Sequence, residues 1–401
     1  MSISAVEAAS SPEHRASSAV VPIAVWLFGC CALIFLMVIV GGITRLTLSG
    51  LSITEWKPAI GIIPPLSAAD WAAEFAKYQK VPEYQALHFA MGLDEFKSIY
   101  YWEYFHRLLG RLIGLAFAVP LVWFAMRRQL PRRLVLPLAG ILLLGAAQGA
   151  LGWYMVESGL ADRVEVSQYR LTAHLALALA IYAAILWTAL GLLSSRPEDP
   201  SPPFRGEREG PAPTAREGEV GTDRLSGSPH HSPTLSASRG GEGTPRTTAL
   251  WRRAGEIVIA LVALTILAGG FVAGTRAGLT YNTFPLMDGR LVPAGYDRLH
   301  PFYLNWFENI AAVQFNHRLL AVTTAAAVLL LWAAGLRSRL ARPARMALHA
   351  LLAVAVAQVG LGISTLLLVV PIPLAAAHQA GAVLVLTAAI VLRHTLRPTD
   401  R

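Results

Sequence analysis

At 401 residues, with 54% hydrophobic and only 15% charged side chains, the chain is too apolar for a soluble protein of two or three domains. Its formal charge of +9 does not mark a nucleic-acid binder, because the basic residues fall in short loops between apolar runs rather than on one patch. Several of those runs reach the length that crosses a hydrocarbon core about 30 Å thick, which makes this an all-α integral membrane protein surrounded by lipid.

Residues 1–19 are polar and read as a disordered tail. The run 20–43 is too long for the core of a signal peptide and lacks a small-residue cleavage pattern, so it is the first helix. It holds both cysteines, Cys30 and Cys31; adjacent cysteines rarely bridge, so neither a disulfide nor a zinc site is expected. The loop 46–102 is dense in Trp, Tyr and Pro, which suits a folded segment lying at the membrane interface. The second, third and fourth helices are expected at 103–126, 134–156 and 168–193. Residues 194–250 are crowded with Pro, Gly, Ser, Arg and Glu, too poor in large apolar side chains to fold, and read as a disordered linker. Helices five to eight follow near 251–273, 311–336, 344–370 and 374–393. The domain plan is thus an N-terminal four-helix half at 20–193 and a C-terminal one at 251–395, with 396–401 as a tail.

The loops give the orientation. Arg127, Arg128, Arg132 and Arg133 lie between the second and third helices, and Arg337, Arg339, Arg342 and Arg345 between the sixth and seventh. The loop after the third helix has Glu157, Asp162 and Glu165 against Arg163, and the loop after the seventh is uncharged. Basic loops face the cytoplasm, so both termini and the linker are predicted inside.

The two halves repeat each other. Gly41-Gly42 before Thr44-Arg45 matches Gly269-Gly270 before Thr275-Arg276, and His106-Arg107-Leu108-Leu109 matches His317-Arg318-Leu319-Leu320. Ala147-Gln148-Gly149-Ala150-Leu151-Gly152 matches Ala357-Gln358-Val359-Gly360-Leu361-Gly362, and His174 matches His378. Four matches in one order predict two tandem, pseudo-symmetric four-helix bundles.

His106, His174, His317 and His378 all lie near the starts of even-numbered helices, at one depth below the outer face. Two imidazoles opposed across a bundle can be the axial ligands of a haem iron. A single histidine there could equally be an interfacial anchor, but four at matching positions favour haem. Zinc fits less well, since no cysteine and no short His-to-His spacing accompanies them. Arg107, Arg111, Arg318, Arg45 and Arg276 are placed to meet haem propionates or, as plainly, to anchor helix ends. Glu103 lies one turn outward of His106 on the same helix face, where an ion pair with Arg107 is the alternative to a chemical role. Its counterpart in the second half is Gln314, which cannot take up a proton at neutral pH. That difference suggests one reacting site and one redox or structural haem site.

The strings Glu103-Tyr104-Phe105-His106-Arg107, Gly152-Trp153-Tyr154-Met155-Val156-Glu157-Ser158-Gly159-Leu160, Asn282-Thr283-Phe284-Pro285-Leu286-Met287 and Asn305-Trp306-Phe307-Glu308-Asn309 resemble the haem A synthase family, in its alphaproteobacterial and mitochondrial branch. The resemblance covers the chain apart from the tail and linker. It implies an enzyme of haem A biosynthesis that oxidises the C8 methyl of haem O to a formyl through a hydroxymethyl stage, for haem-copper cytochrome oxidase. It also implies that His317 and His378 hold a resident haem b, that His106 and His174 line the haem O site, and that Glu103 is the essential carboxylate. The cysteine pair that some bacterial members carry in the first outer loop is absent. The expected location is a bacterial inner membrane. Candidate partners besides haem O are haem O synthase, cytochrome oxidase assembly factors and a second copy of the chain. The rival is a diheme b-type electron carrier, which would not need Glu103.

Overall fold

A computed structural model describes residues 20–55, 60–162, 164–194 and 245–397. The expected tail 1–19, nearly all of the expected linker (195–244) and residues 398–401 lie outside the described residues. Among the described residues the long elements are all helices: α1 (Val20–Leu46), α2 (Ala68–Tyr78), α3 (Leu93–Met126), α4 (Arg132–Asp162), α5 (Gln168–Ser194), α6 (Pro245–Thr275), α7 (Ile310–Leu336), α8 (Arg342–Leu367) and α9 (Ile372–Thr395). Eight of them, all but α2, are long and apolar enough to cross a membrane, so this is a multi-pass membrane protein.

Helix neighbours follow one scheme in both halves. In the first, α1 packs on α3 and α5, and α4 on α3 and α5; in the second, α6 packs on α7 and α9, and α8 on α7 and α9. Between the halves, α5 packs on α6, α9 on α1, and α5 on α9. Exchanging one half for the other leaves these neighbours unchanged. The core lies where α1, α5 and α9 meet, with Ile23, Leu27, Ile185 and Leu392 almost fully buried. Polar groups there are paired: the hydroxyls of Tyr182 and Thr387 join α5 to α9 at 2.8 Å, and Trp26 donates to Ala116 O at 2.7 Å between α1 and α3. The outward side of α3 instead exposes Leu112, Leu115, Val119, Val122 and Trp123, an apolar surface suited to lipid.

Three boundaries differ clearly from expectation, one being the end of α4, which runs to Asp162 rather than to about residue 156. Helix α6 starts at Pro245 rather than near residue 251, inside the expected linker, with a proline in its first turn where the missing N–H costs nothing. Helix α3 starts at Leu93, well before Glu103. Gly92 caps it, the Glu95 carboxylate accepts from Gly92 N at 3.0 Å, and Asp94 and Glu95 suit the positive end of the helix dipole. Its polar first turns read as loop on hydropathy alone. They are held by α2, itself capped by Ser67 and Asp70, through rings packed between the two helices: Tyr78 stacked on Phe96 (5.2 Å) and Trp71 edge-to-face on Tyr100 (5.0 Å). Glu103 is therefore an interior residue of a helix, and apart from Arg107 one turn on its partners come from tertiary packing.

Candidate functional site

Each of the four histidines rests on a glycine of the preceding membrane helix. A Cβ added to Gly41 (α1) would come within 3.2 Å of the His106 ring, and one at Gly269 (α6) within 3.1 Å of His317. The same holds for Gly152 (α4) against His174 at 3.0 Å and Gly362 (α8) against His378 at 2.8 Å. The imidazoles thus sit in slots that an added methyl would crowd, most of all at Gly362. His106 is within electrostatic reach of His174, and His317 of His378, so the fold brings together the pairs that the repeat suggests.

The repeated glutamines complete each slot. Gln148 donates through Nε2 to His174 O at 3.1 Å, and Gln358 does the same to His378 O at 2.9 Å. Each amide also lies beside the ring, 3.2 Å from His174 Nε2 and 3.1 Å from His378 Nδ1. The Ala-Gln-x-x-Leu-Gly repeat is therefore a histidine-holding motif: its glutamine grips the ring and backbone, and its last glycine makes room. Sequence reading found the repeat without finding this use. His317 Nδ1 lies 3.1 Å from Thr265 O; a carbonyl only accepts, so Nδ1 carries the hydrogen and Nε2 is left for another partner.

Glu103 is 2% exposed and Gln314 likewise 2%, so the two occupy equally buried positions. Glu103 Oε2 accepts from Ser52 Oγ and Ile53 N, both at 2.7 Å, and Oε1 accepts from Arg107 Nε at 3.0 Å and Nη2 at 2.5 Å. All four partners are donors, the complement of a charged carboxylate. The ion pair with Arg107 exists, and it is buried.

Of the five arginines expected near propionates, Arg107, Arg318, Arg45 and Arg276 are placed in two kinds of contact. Arg107 donates to Ile53 O (2.9 Å) and Glu55 O (3.4 Å), while Arg318 donates to Tyr281 O (2.5 Å) and Thr283 O (2.8 Å). Each thus clamps two alternate carbonyls at the start of its half's long loop. Arg45 and Arg276 both meet Glu165, each at 2.7 Å, and Arg45 also donates to Ala273 O and Gly274 O at the end of α6. Glu165 is a residue whose importance sequence reading missed: it ties together arginines from both halves. Of the other histidines, His349 accepts from Trp332 Nε1 at 2.9 Å and His394 packs on Trp187, both away from the four slots.

Two further strings of the resemblance prove to be fasteners. Asn305 is fully buried and its side chain bonds to the Leu299 backbone, while Asn309 donates to Gly295 O and caps α7 through Ala311 N. Asn282 donates to Gly278 O and to Leu366 O near the end of α8, each at 2.9 Å.

Fold and site together define a multi-pass helical membrane protein made of two like-connected halves, each with one glycine-seated histidine pair at the same end. Comparison with known proteins narrows this. The sequence profile of the COX15-CtaA family, described as cytochrome oxidase assembly protein, matches residues 24–213 and 233–390, and the chain belongs to that family. Among curated proteins it is similar to the heme A synthase of Nitrosospira multiformis, 50% identical over 94% of both chains. It is likewise similar to the heme A synthases of Rhodospirillum centenum (49%, covering 98% of this chain and 92% of the relative) and Nitrosomonas eutropha (47%, 92% of both).

Proposed function

We propose that this chain is a haem A synthase, which oxidises the C8 methyl of haem O to a formyl through a hydroxymethyl stage. The observation that carries the reading is the contrast between equally built histidine sites, of which only the first has a buried carboxylate, Glu103, where the second has Gln314. The names of the similar proteins supply the reaction. His106 and His174 are assigned to the haem O site, with Glu103 as the group that takes up a proton or orients water beside the reacting carbon. His317 and His378 are assigned to a resident haem b. The slots fit that group: both rings are seated on glycine, and the Nδ1 anchor of His317 leaves its Nε2 for another partner. When bound, haem b would supply one-electron exchange. Arg107 and Arg318 are best read as holding loop segments across the sites, from which their guanidinium edges remain candidates for propionate contact.

The basic loops 127–133 and 337–345 support a bacterial inner-membrane topology with both termini cytoplasmic and the four histidines near the outer face. Haem O synthase, cytochrome oxidase assembly factors and a second copy of the chain are the candidate partners.

The test is to express the protein with a source of haem O and extract its haems. Haem A with its hydroxylated intermediate, beside haem b, is the expected result. Unaltered haems alone would overturn the reading in favour of a diheme electron carrier.

A further inference from the structure

The two histidine pairs are seated alike, but the space beneath them is not. On α4, Leu138, Ile141, Gly145, Gln148 and Gly152 fall three or four residues apart and share the face that carries the His174 seat. Their counterparts on α8 are Leu348, Leu351, Ala355, Gln358 and Gly362. Both stripes are buried at the deep end, through Ile141 and through Leu351. They part at the next position. Ala355 is buried, 8% exposed, whereas Gly145 is exposed and a Cβ built on it meets no atom within 4 Å. The flanks of this turn differ in the same sense: Leu142 and Leu144 are exposed, while Leu352 and Val354 are half-buried. Helix α4 also lies less closely on α3 and α5 than α8 does on α7 and α9.

Helix α3 opens at the same depth. One turn below His106 is Gly110, which is exposed, and two turns below is Ile113, which is half-buried. In the second half these positions are Ala321, half-buried, and Thr324, buried and joined to Thr265 at 2.8 Å across α6. One turn deeper, Phe117 and Val328 are both buried. Ile113 and Gly145 each lie seven residues, about 10 Å of helix, below the histidine or glycine of the seat on their own helix. The first half is therefore open beneath its histidines and closed again at Phe117 and Ile141, whereas the second is filled throughout.

The two haems assigned to these sites differ where the two openings differ. A haem carries both carboxylates on one edge of the macrocycle. On the opposite edge haem O bears a long isoprenoid chain, and haem b only a vinyl group. The loop gripped by Arg107 is the charged, outward side of the first pair, so carboxylates that face it turn the opposite edge inward, toward Gly145.

We propose that this opening receives the isoprenoid chain of haem O, which reaches it sideways from the lipid beside α4; the role rests on the first half being the haem O site. Ala355 and Thr324 occupy the corresponding space in the second half, which keeps a haem with a short side chain there. Gly145 thus sets specificity through the room it leaves.

The full-length protein, purified with its resident haem, is titrated with haem O and with haem b, and the additional bound haem is measured. Gly145→Leu, which refills the position, should weaken haem O binding at least about tenfold and leave haem b binding within about twofold. Gly140→Leu puts the same side chain on another face of α4, where a Cβ also meets nothing within 4 Å, and should leave both unchanged. In Gly145→Cys, haem O should shield the new thiol from a lipid-soluble maleimide and haem b should not, against a parent whose two cysteines are buried. Equal weakening of both haems by Gly145→Leu, weakening of neither, or a thiol that haem O leaves as reactive as haem b does would overturn the proposal and make the opening a seam filled by lipid. If Gly145→Leu does not insert, the shielding result decides alone. Both readouts are of binding: a protein that shows them yet makes no haem A defeats the functional reading and not the opening, and one that makes haem A without them defeats the opening alone.

Discussion

Arg107 and Arg318 do the same work in the two halves, each gripping two alternate carbonyls of its own long loop. What lies beside them differs. In the first half Glu103 is interposed between Arg107 and the loop and collects donors from Ser52 and Ile53 as well. In the second half Gln314 makes a single contact of this kind, donating to Thr280 O at 3.4 Å, and the loop is held without any carboxylate. Holding the loop therefore does not require a glutamate. Desolvating one is costly even when it is paired, so a carboxylate kept where an amide suffices points to chemistry.

The sharpest way to break the comparison is to remove histidines. His317→Ala or His378→Ala should abolish resident haem b, and His106→Ala or His174→Ala should spare most of it, read from the absorption spectrum of the purified protein. Equal loss from all four would end the division of roles between halves.

Next in size is Glu103→Gln, which makes the first half resemble the second. Haem A formation should fall by about 10²–10⁴-fold with bound haem retained. Because every partner of the carboxylate is a donor, the new amide also sets one donor against another. Ser52→Ala is the control: it removes one of those contacts and keeps the carboxylate, and should cost less than about tenfold. A Glu103→Gln protein no worse than Ser52→Ala would leave Glu103 a loop fastener. Gln314→Glu should not create activity in the second half.

A smaller effect is expected at the glycine seats. Gly362→Ala pushes a methyl to 2.8 Å from the His378 ring, tighter than packing allows. Overpacking of this kind costs about 1–3 kcal/mol, so haem b should be released roughly tenfold more easily while Glu103-dependent chemistry per bound haem is kept. A titration of haem retention checks it, and an equal loss at the His106 and His174 site would show that the halves are not independent. The smallest effect belongs to deleting residues 200–240, which should leave haem content and activity within about twofold, since the segment's sequence offers few large apolar side chains.

The membrane helices, the repeat and the histidine pairs were legible because hydropathy and recurrence are carried by the chain itself. The start of α3 was not, since Asp94, Glu95 and Lys97 look like loop until α2 lays its rings against Phe96 and Tyr100. Glu165 was hidden for a related reason: it is one acidic residue in an acidic loop, and only the fold brings Arg45 and Arg276 to it. Glu83 lies in a segment whose polarity suits exposure, and its burial comes from a turn that no periodicity announces.

The paired glycines carry one more implication. Gly41 and Gly269 face the histidines of their own halves, but their successors face across the molecule, Gly42 against Gln379 and Gly270 against Thr172. Gln379 also donates to Val38 O at 2.8 Å, which fastens that approach. Consecutive helical residues point about 100° apart, so one bare dipeptide admits two neighbours at the same height from different sides. It therefore acts as a datum from which both the depth of a histidine and the offset of the opposite half are measured. Neither half can slide along the other without lifting a side chain out of its notch. The gap that an electron would cross between the two histidine pairs is thereby a fixed length of the scaffold, cut to size by the absence of two methyl groups per half.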